Sequence, residues 1–313
     1  MYLTFRQLKY FVEVVRAKSI AKAAERLHVS PTALSLQIRE MEEQFRVSLL
    51  TRHSRGIAAT SIGVDLFDRA VQILALVDDA SRALSTETLE PSLRLGAPPS
   101  IARLIGVETM FGASSWLGGV SVEVTEGWTV DLEAQLASGE LDAVIGYDLK
   151  ESTTCVTTHI VDDTFVFIAA PGLAGGNGPI SLTDVLKTDL VFYGEESVSY
   201  RGVRSAAAIA GLSLSSHHHV YSINVWRSLL TRGRATTIGS VAAVDEEYRH
   251  GEIVIREIAG DPIRSSIGVA VRSELATQAR LLSFVEFVRG LVTEGIRRDW
   301  ARMVQQGTTN VDS

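Results

Sequence analysis

Two serines, Ser19 and Ser30, each precede a stretch with helical apolar spacing, and the short distance between them constrains the fold more than any other feature of the chain. A serine side chain accepts N–H groups that a helix start leaves unbonded. Ser19 therefore predicts a helix to about Leu27, and Ser30 a following helix with Pro31 in its first position, where a missing N–H costs nothing. Only the turn His28-Val29 is left to join them. Ala23, Ala24 and Leu27 form a small-residue face that lets another helix approach closely, and Leu34, Ile38, Met41 and Phe45 keep a 4-3-4 spacing directed inward. Upstream, Leu8, Phe11, Val12 and Val15 fall at i, i+3, i+4 and i+7 and predict a first helix from about Phe5 to Ala17.

Three short helices with a minimal turn before the last are the arrangement in which that helix can lie in a major groove. Leu49-Leu50-Thr51-Arg52 and Gly56-Ile57-Ala58-Ala59-Thr60 then read as two short strands around His53-Ser54-Arg55, a wing with a basic tip. Charge follows the same division. The whole chain carries −7, yet residues 1–60 hold ten Lys or Arg against five Glu, a balance of +5 that leaves −12 on the rest. A basic head on an acidic body fits a chain with one phosphate-facing module.

From Ser61 to about Ser85 a long helix is predicted, with Leu66, Ala70, Ile73, Val77, Ala80 and Leu84 at alternating spacings of four and three. Such a seam serves dimerisation or packs on its own chain. Beyond Pro91 short apolar strands alternate with helices, the α/β order. Strands are expected at Leu93 to Ala97, Val120 to Thr125 and Leu141 to Tyr147, with helices from Ser100 and from Thr129 to Ser138. A second set has strands at Phe165 to Ala169, Leu190 to Tyr193, His219 to Tyr221 and Thr236 to Gly239, and helices near Leu182 to Leu186, Gly202 to Ala210 and Asn224 to Arg232. Ile267 to Val271 and a helix from Glu274 to Val292 return to the first set. The expected division is 1–60 for the winged head, 61–90 for the linker helix and hinge, and 91–305 for a two-lobed α/β body. Lobe one takes 91–164 and 265–305, and lobe two 165–264. Two crossovers between lobes make a hinge that can close on a ligand.

Several classes are excluded. The residues from Tyr2 to Tyr10 mix polar and apolar character, unlike a signal peptide, and no apolar run is long enough to span a bilayer, so a cytoplasmic protein is expected. One cysteine, Cys155, rules out an internal disulfide or a multi-cysteine zinc site. No Walker loop, G-x-G-x-x-G or G-x-S-x-G is present, so no catalytic residues, cofactor or enzymatic activity are expected. His217-His218-His219 resembles a metal cluster, but consecutive strand residues point to opposite faces, and no metal site is assigned.

The stretches Leu8-Lys9-Tyr10-Phe11-Val12, Ser19 to Ser30, Ala33-Leu34-Ser35 with Gln37-Ile38, Leu50-Thr51-Arg52, Arg55-Gly56 and Thr60-Ser61-Ile62-Gly63 together resemble the amino-terminal signature of LysR-type transcription regulators. Ser138-Gly139-Glu140-Leu141-Asp142 is similar to the family's effector-binding half, and the nearest flavour is the nitrogen-assimilation branch. The resemblance implies a DNA-binding regulator with a body folded like periplasmic solute-binding proteins, a small co-inducer between its lobes, a homodimer assembled into a tetramer, and a role in polymerase contact. Pro31-Thr32 stands where the family commonly has Gln-Pro, Leu36 where it commonly has Arg, and Ala235 and Ser240 where glycine and proline are usual.

Thr32, Ser35, Leu36 and Arg39 face away from the apolar stripe of the third helix and are available to bases and phosphates; Leu36 can pack on a thymine methyl. Ser30 and Pro31 shape the helix start, Gln37 can reach adenine or brace a neighbour, and Arg52 and Arg55 suit phosphate and minor-groove contact. Lys22 and Arg26 read as solvated. In the body, Ser100 at a strand-to-helix turn can hold an anionic group, and the resemblance adds weight to it and to Thr129. Trp128 offers a wall, while Tyr147, Tyr200 and Arg201 face either the cleft or the surface. Two other readings compete: a solute-sequestering protein whose first helices merely dimerise it, and an enzyme on a two-lobed scaffold, which would need acid/base residues in the cleft.

Overall fold

The computed structural model describes residues 3–53, 56–84, 92–116, 121–176, 178–214, 217–273, 275–276 and 279–309. The chain falls into two compact units, one chiefly Met1–Leu89 and the other Glu90–Leu136 with Leu141–Ser313.

The first unit opens with α1 (Phe5–Ala17), where Thr4 and Gln7 form a reciprocal capping box. Next come α2 (Ile20–Arg26), capped by Ser19, and α3 (Pro31–Phe45), capped by Ser30. Between α2 and α3, His28 takes a left-handed conformation at φ 53°. Phe11, Val14, Ala23, Ala24, Leu34, Ile38 and Met41 are buried together at the centre. Phe45, expected on the inward stripe, is 37% exposed, because the helix ends there and Arg46 turns left-handed at φ 54°. The wing is an antiparallel pair, β1 (Leu50–His53) and β2 (Gly56–Ala59), with Leu50 opposite Ala59 and His53 opposite Gly56.

Thr60 joins the wing to α4 (Ser61–Leu84): its hydroxyl donates to the Ser48 carbonyl at 2.7 Å and accepts the Gly63 N–H at 3.0 Å. Gly63 sits so close to the wing that an added Cβ would overlap the Leu49 carbonyl oxygen. The apolar seam of α4 divides. Ala70 and Val71 are buried against Leu8 and Val12 of α1, with Leu66 packed beside them, whereas Ile73 and Leu76 lie exposed. The side chains of Ala80 and Leu84 lie outside the described residues, as does the 85–91 hinge.

In the second unit the first lobe starts with β3 (Ser92–Ala97), α5 (Pro99–Trp116), β4 (Ser121–Glu126), α6 (Thr129–Ala137), β5 (Ala143–Tyr147) and β6 (Cys155–Thr164). The chain then builds the second lobe from β7 (Val166–Ala169), β8 (Ile180–Ser181), α7 (Leu182–Val185), β9 (Leu190–Phe192), α8 (Val198–Ile209), β10 (His217–His219), α9 (Ile223–Thr231), β11 (Thr237–Gly239), α10 (Asp245–Arg249), β12 (Val254–Arg256) and β13 (Ile258–Ala259). It returns through β14 (Arg264–Arg272) to α11 (Ala279–Thr309).

The first lobe's sheet has the order β4-β3-β5-β14-β6, with β3 parallel to β4 and β5, and β14 antiparallel to β5 and β6. Ile101 and Ile105 of α5 and Phe284, Val288 and Val292 of α11 are buried in one cluster over it. In the second lobe β7 pairs antiparallel with β11 and β12, and β9 parallel with β10, while a Leu190–Thr236 bridge links the two ladders. Where the crossovers run side by side, the Phe165 N–H donates to the Ile263 carbonyl at 2.8 Å. Several expectations shift: the strand placed at His219 to Tyr221 lies at His217–His219, set by its pairing with Leu190–Phe192, the helix expected from Gly202 begins at Val198, capped by Ser197, and the helix expected over Glu274 to Val292 runs from Ala279 to Thr309.

Candidate functional site

On α3 the side chains of Thr32 and Leu36 face solvent beside Ser30 and Pro31, Ser35 is half-buried, and Leu36 is 52% exposed. A leucine that open to water is an unused apolar contact on an otherwise polar face. Arg39 donates to Glu43 at 2.7 Å, and Gln37 donates to Glu40 at 2.6 Å, so Gln37 engages its own helix. Glu42 on the other flank of α3 accepts the N–H groups of Leu49 and Leu50 at 2.7 and 3.1 Å, which fixes the wing to that helix. Among the residues read as solvated, Arg26 pairs with Glu13 at 3.0 Å. The Arg52 side chain and the whole of Arg55 lie outside the described residues.

The body carries a cavity between its lobes. Pro98, Pro99 and Ser100 reach it from the β3–α5 turn, Trp128 and Thr129 from the β4–α6 turn, and Tyr147 from the end of β5. The second lobe answers with Tyr193, Glu196–Ser199, Trp226 and Gly239–Ser240. Four of the six sequence-predicted residues thus come together, Ser100, Trp128, Thr129 and Tyr147. Tyr200 and Arg201 do not line the cavity. Tyr200 packs against Phe192 and the rings of His217 and His219, at 5.2, 5.4 and 4.7 Å, and Arg201 donates to the Glu196 carbonyl. His217 and His219 share a face, with ring centroids 5.1 Å apart, while among the described residues no group of three or more His, Cys, Asp or Glu could hold a metal ion.

The lobes meet through Trp128 and Tyr193, whose ring centroids stand 4.2 Å apart. Gly194, at φ 77°, admits that contact, since a Cβ there would come within 2.7 Å of the Trp128 ring. The cavity floor is polar. The Ser100 hydroxyl lies 3.3 Å from that of Tyr147, which donates to Asp163 at 3.1 Å, and Ser240 hydrogen-bonds the same carboxylate. Burial raises the Asp163 pKa to about 6 against the pull of the Ser240 and Tyr147 hydroxyls, with Asp299 on α11 adding to the rise. The Tyr147 phenol is pushed well above its ordinary value by burial and by the Asp163 charge.

Beside the cavity, Arg103 of α5 bridges to Glu246 and Glu247 of the other lobe at 2.8 and 3.1 Å. Asp142, in the segment similar to the family's effector half, is structural: Arg94 and Arg272 hold it at 2.8 and 3.1 Å. Burial draws its pKa upward, but the two guanidinium groups outweigh that and keep it below the ordinary value.

Sequence reasoning missed Asp163, Tyr193, Trp226 and Ser240. Ser240 was legible only as a departure from the usual residue, and it caps the turn after β11 by accepting the Ala242 N–H at 3.2 Å.

Residues 5–64 match the model of the bacterial regulatory helix-turn-helix protein, lysR family, and residues 86–292 that of the LysR substrate binding domain. The HTH-type transcriptional regulator PcaQ of Agrobacterium fabrum is 37% identical over 146 residues, 46% of this chain and 47% of that protein, so the match spans about half of PcaQ. The DNA-binding transcriptional dual regulator OxyR of Escherichia coli is 25% identical over 92% of this chain and 95% of its own. The nitrogen assimilation regulatory protein nac of Klebsiella aerogenes is 26% identical over 75% and 78%.

Among solved structures, an OxyR C206 mutant of Corynebacterium glutamicum superposes with a TM-score of 0.58 at 19% identity, covering 98% of this chain and 96% of that one. Full-length CbnR complexed with its target DNA gives 0.55 at 22% identity, covering 92% and 100%. The same fold is shared along nearly the whole length, and no helix among the described residues is long and apolar enough to cross a membrane. With both family models matched in order, from the capped helices of the head to residue 292 within α11, the chain belongs to the LysR family of transcription regulators.

Proposed function

We propose that this protein is a cytoplasmic, sequence-specific DNA-binding transcription regulator governed by a small molecule held between the lobes of its body. The carrying observation is α3 itself: Ser30 and Pro31 start it, Leu36 projects from it into solvent, and Glu42 ties it to the wing. Thr32, Ser35, Leu36 and Arg39 read base edges and phosphates in the major groove, Gln37 exchanges Glu40 for DNA, and Arg52 and Arg55 take the backbone and minor groove. A homodimer, assembled further into a tetramer, sets paired α3 helices on an inverted repeat. Ile73 and Leu76 of α4 leave apolar surface for that pairing. Ligand closure of the lobes changes the spacing of the heads, and with it DNA bending and contact with RNA polymerase.

The test is retention of genomic fragments by the full chain at two salt concentrations, beside the double variant Ser35→Ala, Arg55→Ala. Enrichment of a few dyad-symmetric sites that weakens with salt and disappears in the variant is the expected result. Retention without selectivity would overturn the reading in favour of a solute-binding role.

A further inference from the structure

We infer that the cavity between the lobes takes an uncharged, flat aromatic molecule and rejects its carboxylated counterpart, because Asp163 already supplies an anion directly behind the cavity floor, bonded to the lining residues Tyr147 and Ser240. The inference rests on the reading of this cavity as the effector site. Its walls carry aromatic rings: Trp128 and Tyr193 meet across the lobes at a tilt of 35°, and Phe165 and Trp226 also line it. Aromatic side chains of this kind favour offset or edge contact with a planar ring.

The charge pattern then selects among planar rings. The N-termini of α5, α6 and α8 open on the cavity, and helix starts carry partial positive charge that an anionic ligand usually answers. Here the answer is built in. Asp163 is 1% exposed and accepts the hydroxyls of Tyr147 and Ser240, with Ser100 of α5 linked through Tyr147. A ligand carboxylate at the floor would bring a second negative charge to within one side chain's width of Asp163, across a poorly hydrated layer where like charges repel strongly.

No formal cation offsets it. No Lys, Arg or His is among the described lining residues, whose one ionisable acid is Glu196, with Asp163 in the layer behind them. Of the nearby arginines, Arg103 pairs with Glu246 and Glu247, Arg227 with Glu247, and Arg201, bonded to the Glu196 carbonyl, lies outside the lining. A neutral acceptor, by contrast, meets an unused donor, since the buried indole N–H of Trp226, a lining residue, makes no hydrogen bond among the described residues. An amide or ring carbonyl supplies what that group lacks.

The experiment uses the full chain and matched pairs, benzamide with benzoate and indole-3-carboxamide with indole-3-carboxylate, read by tryptophan fluorescence and thermal shift at pH 8. At least tenfold tighter binding of an amide than of its acid is expected, falling toward parity in Asp163→Asn. Wild-type protein gives an independent reading. The groups facing Asp163 are Tyr147 of β5, Ser240 after β11 and Asp299 of α11, and protonation of Asp163 as pH falls through about 6 narrows the preference while the probe acids stay ionised.

An acid that binds as tightly as its amide at pH 8, a preference unchanged both in the variant and at low pH, or silence from every pair overturns the inference. Operator retention on the same preparation separates the two readings. Amide selectivity that leaves operator binding untouched sinks the effector role and keeps this inference, whereas a carboxylate that alters operator binding does the reverse.

Discussion

In the head, the residues offered to DNA from the third helix lie between Ser30 and Arg39, on the opening turns of α3, and most are open to solvent. In the body, the cavity gathers side chains from Pro98 to Ala243, and Asp163, bonded to Tyr147 behind its floor, is almost wholly buried. A surface site of the first kind needs one well-started helix and a scaffold beneath it. An enclosed site of the second kind exists only once two lobes have folded and met. The difference teaches where each half is vulnerable: the head to backbone geometry, the body to changes of charge and polarity.

The largest expected effect tests whether the two halves fail separately. Gly63→Ala forces a methyl group against the Leu49 carbonyl at the wing junction and should destabilise the head by on the order of 4 kcal/mol. Calorimetry should then show the head transition lowered and operator retention gone, with the body transition in place. If the body transition moves equally, the two halves are one cooperative unit and the contrast fails.

Next comes the buried carboxyl. With a folded pKa near 6 against an ordinary 3.8, the native state holds this proton more tightly than the unfolded chain does. Its contribution is thus fully present below pH 4 and lost as pH rises through 6, by roughly 3 kcal/mol at most. Urea unfolding of Asp163→Asn across pH 4 to 7 should lack that slope. An identical slope in variant and wild type would place the proton elsewhere.

Arg103→Ala removes a partly buried pair of contacts across the lobes. A loss of about 1 kcal/mol, or roughly 2–4 °C in the body transition, is expected with operator affinity retained. An effect of the same small size belongs to Leu36. If it packs on a thymine methyl, Leu36→Ala should weaken operator binding about fivefold, near 1 kcal/mol. Replacing the contacted thymine by uracil should erase the difference between variant and wild type.

What was legible in the sequence follows the same contrast. The bounds of α1 and the starts of α2 and α3 were readable because capping serines and apolar spacing act within a few residues. Much of the order of strands and helices in the body was also readable, but β8, α10, β12 and β13 were missed, and so was β6, from Cys155 to Thr164. It lies at the sheet edge, where alternate half-exposed polar residues carry little apolar signal. Asp163 on that strand looks like any surface acid until β5 and the turn after β11 bring Tyr147 and Ser240 to it. The α4 seam was ambiguous for a related reason: one apolar stripe serves α1 at Ala70 and leaves Ile73 to solvent, and spacing alone does not say where that division falls.

The carboxylate of Glu42, bonded to two successive wing amides, gives the head the character of a fixed caliper. Its two prongs, helix and wing, are set at one separation before any DNA arrives. On the proposed reading of α3 and the wing, an operator must present its major-groove sequence and its flanking narrow groove at a matching offset, and a single base pair inserted between those tracts should cost as much recognition as a wrong base within one of them.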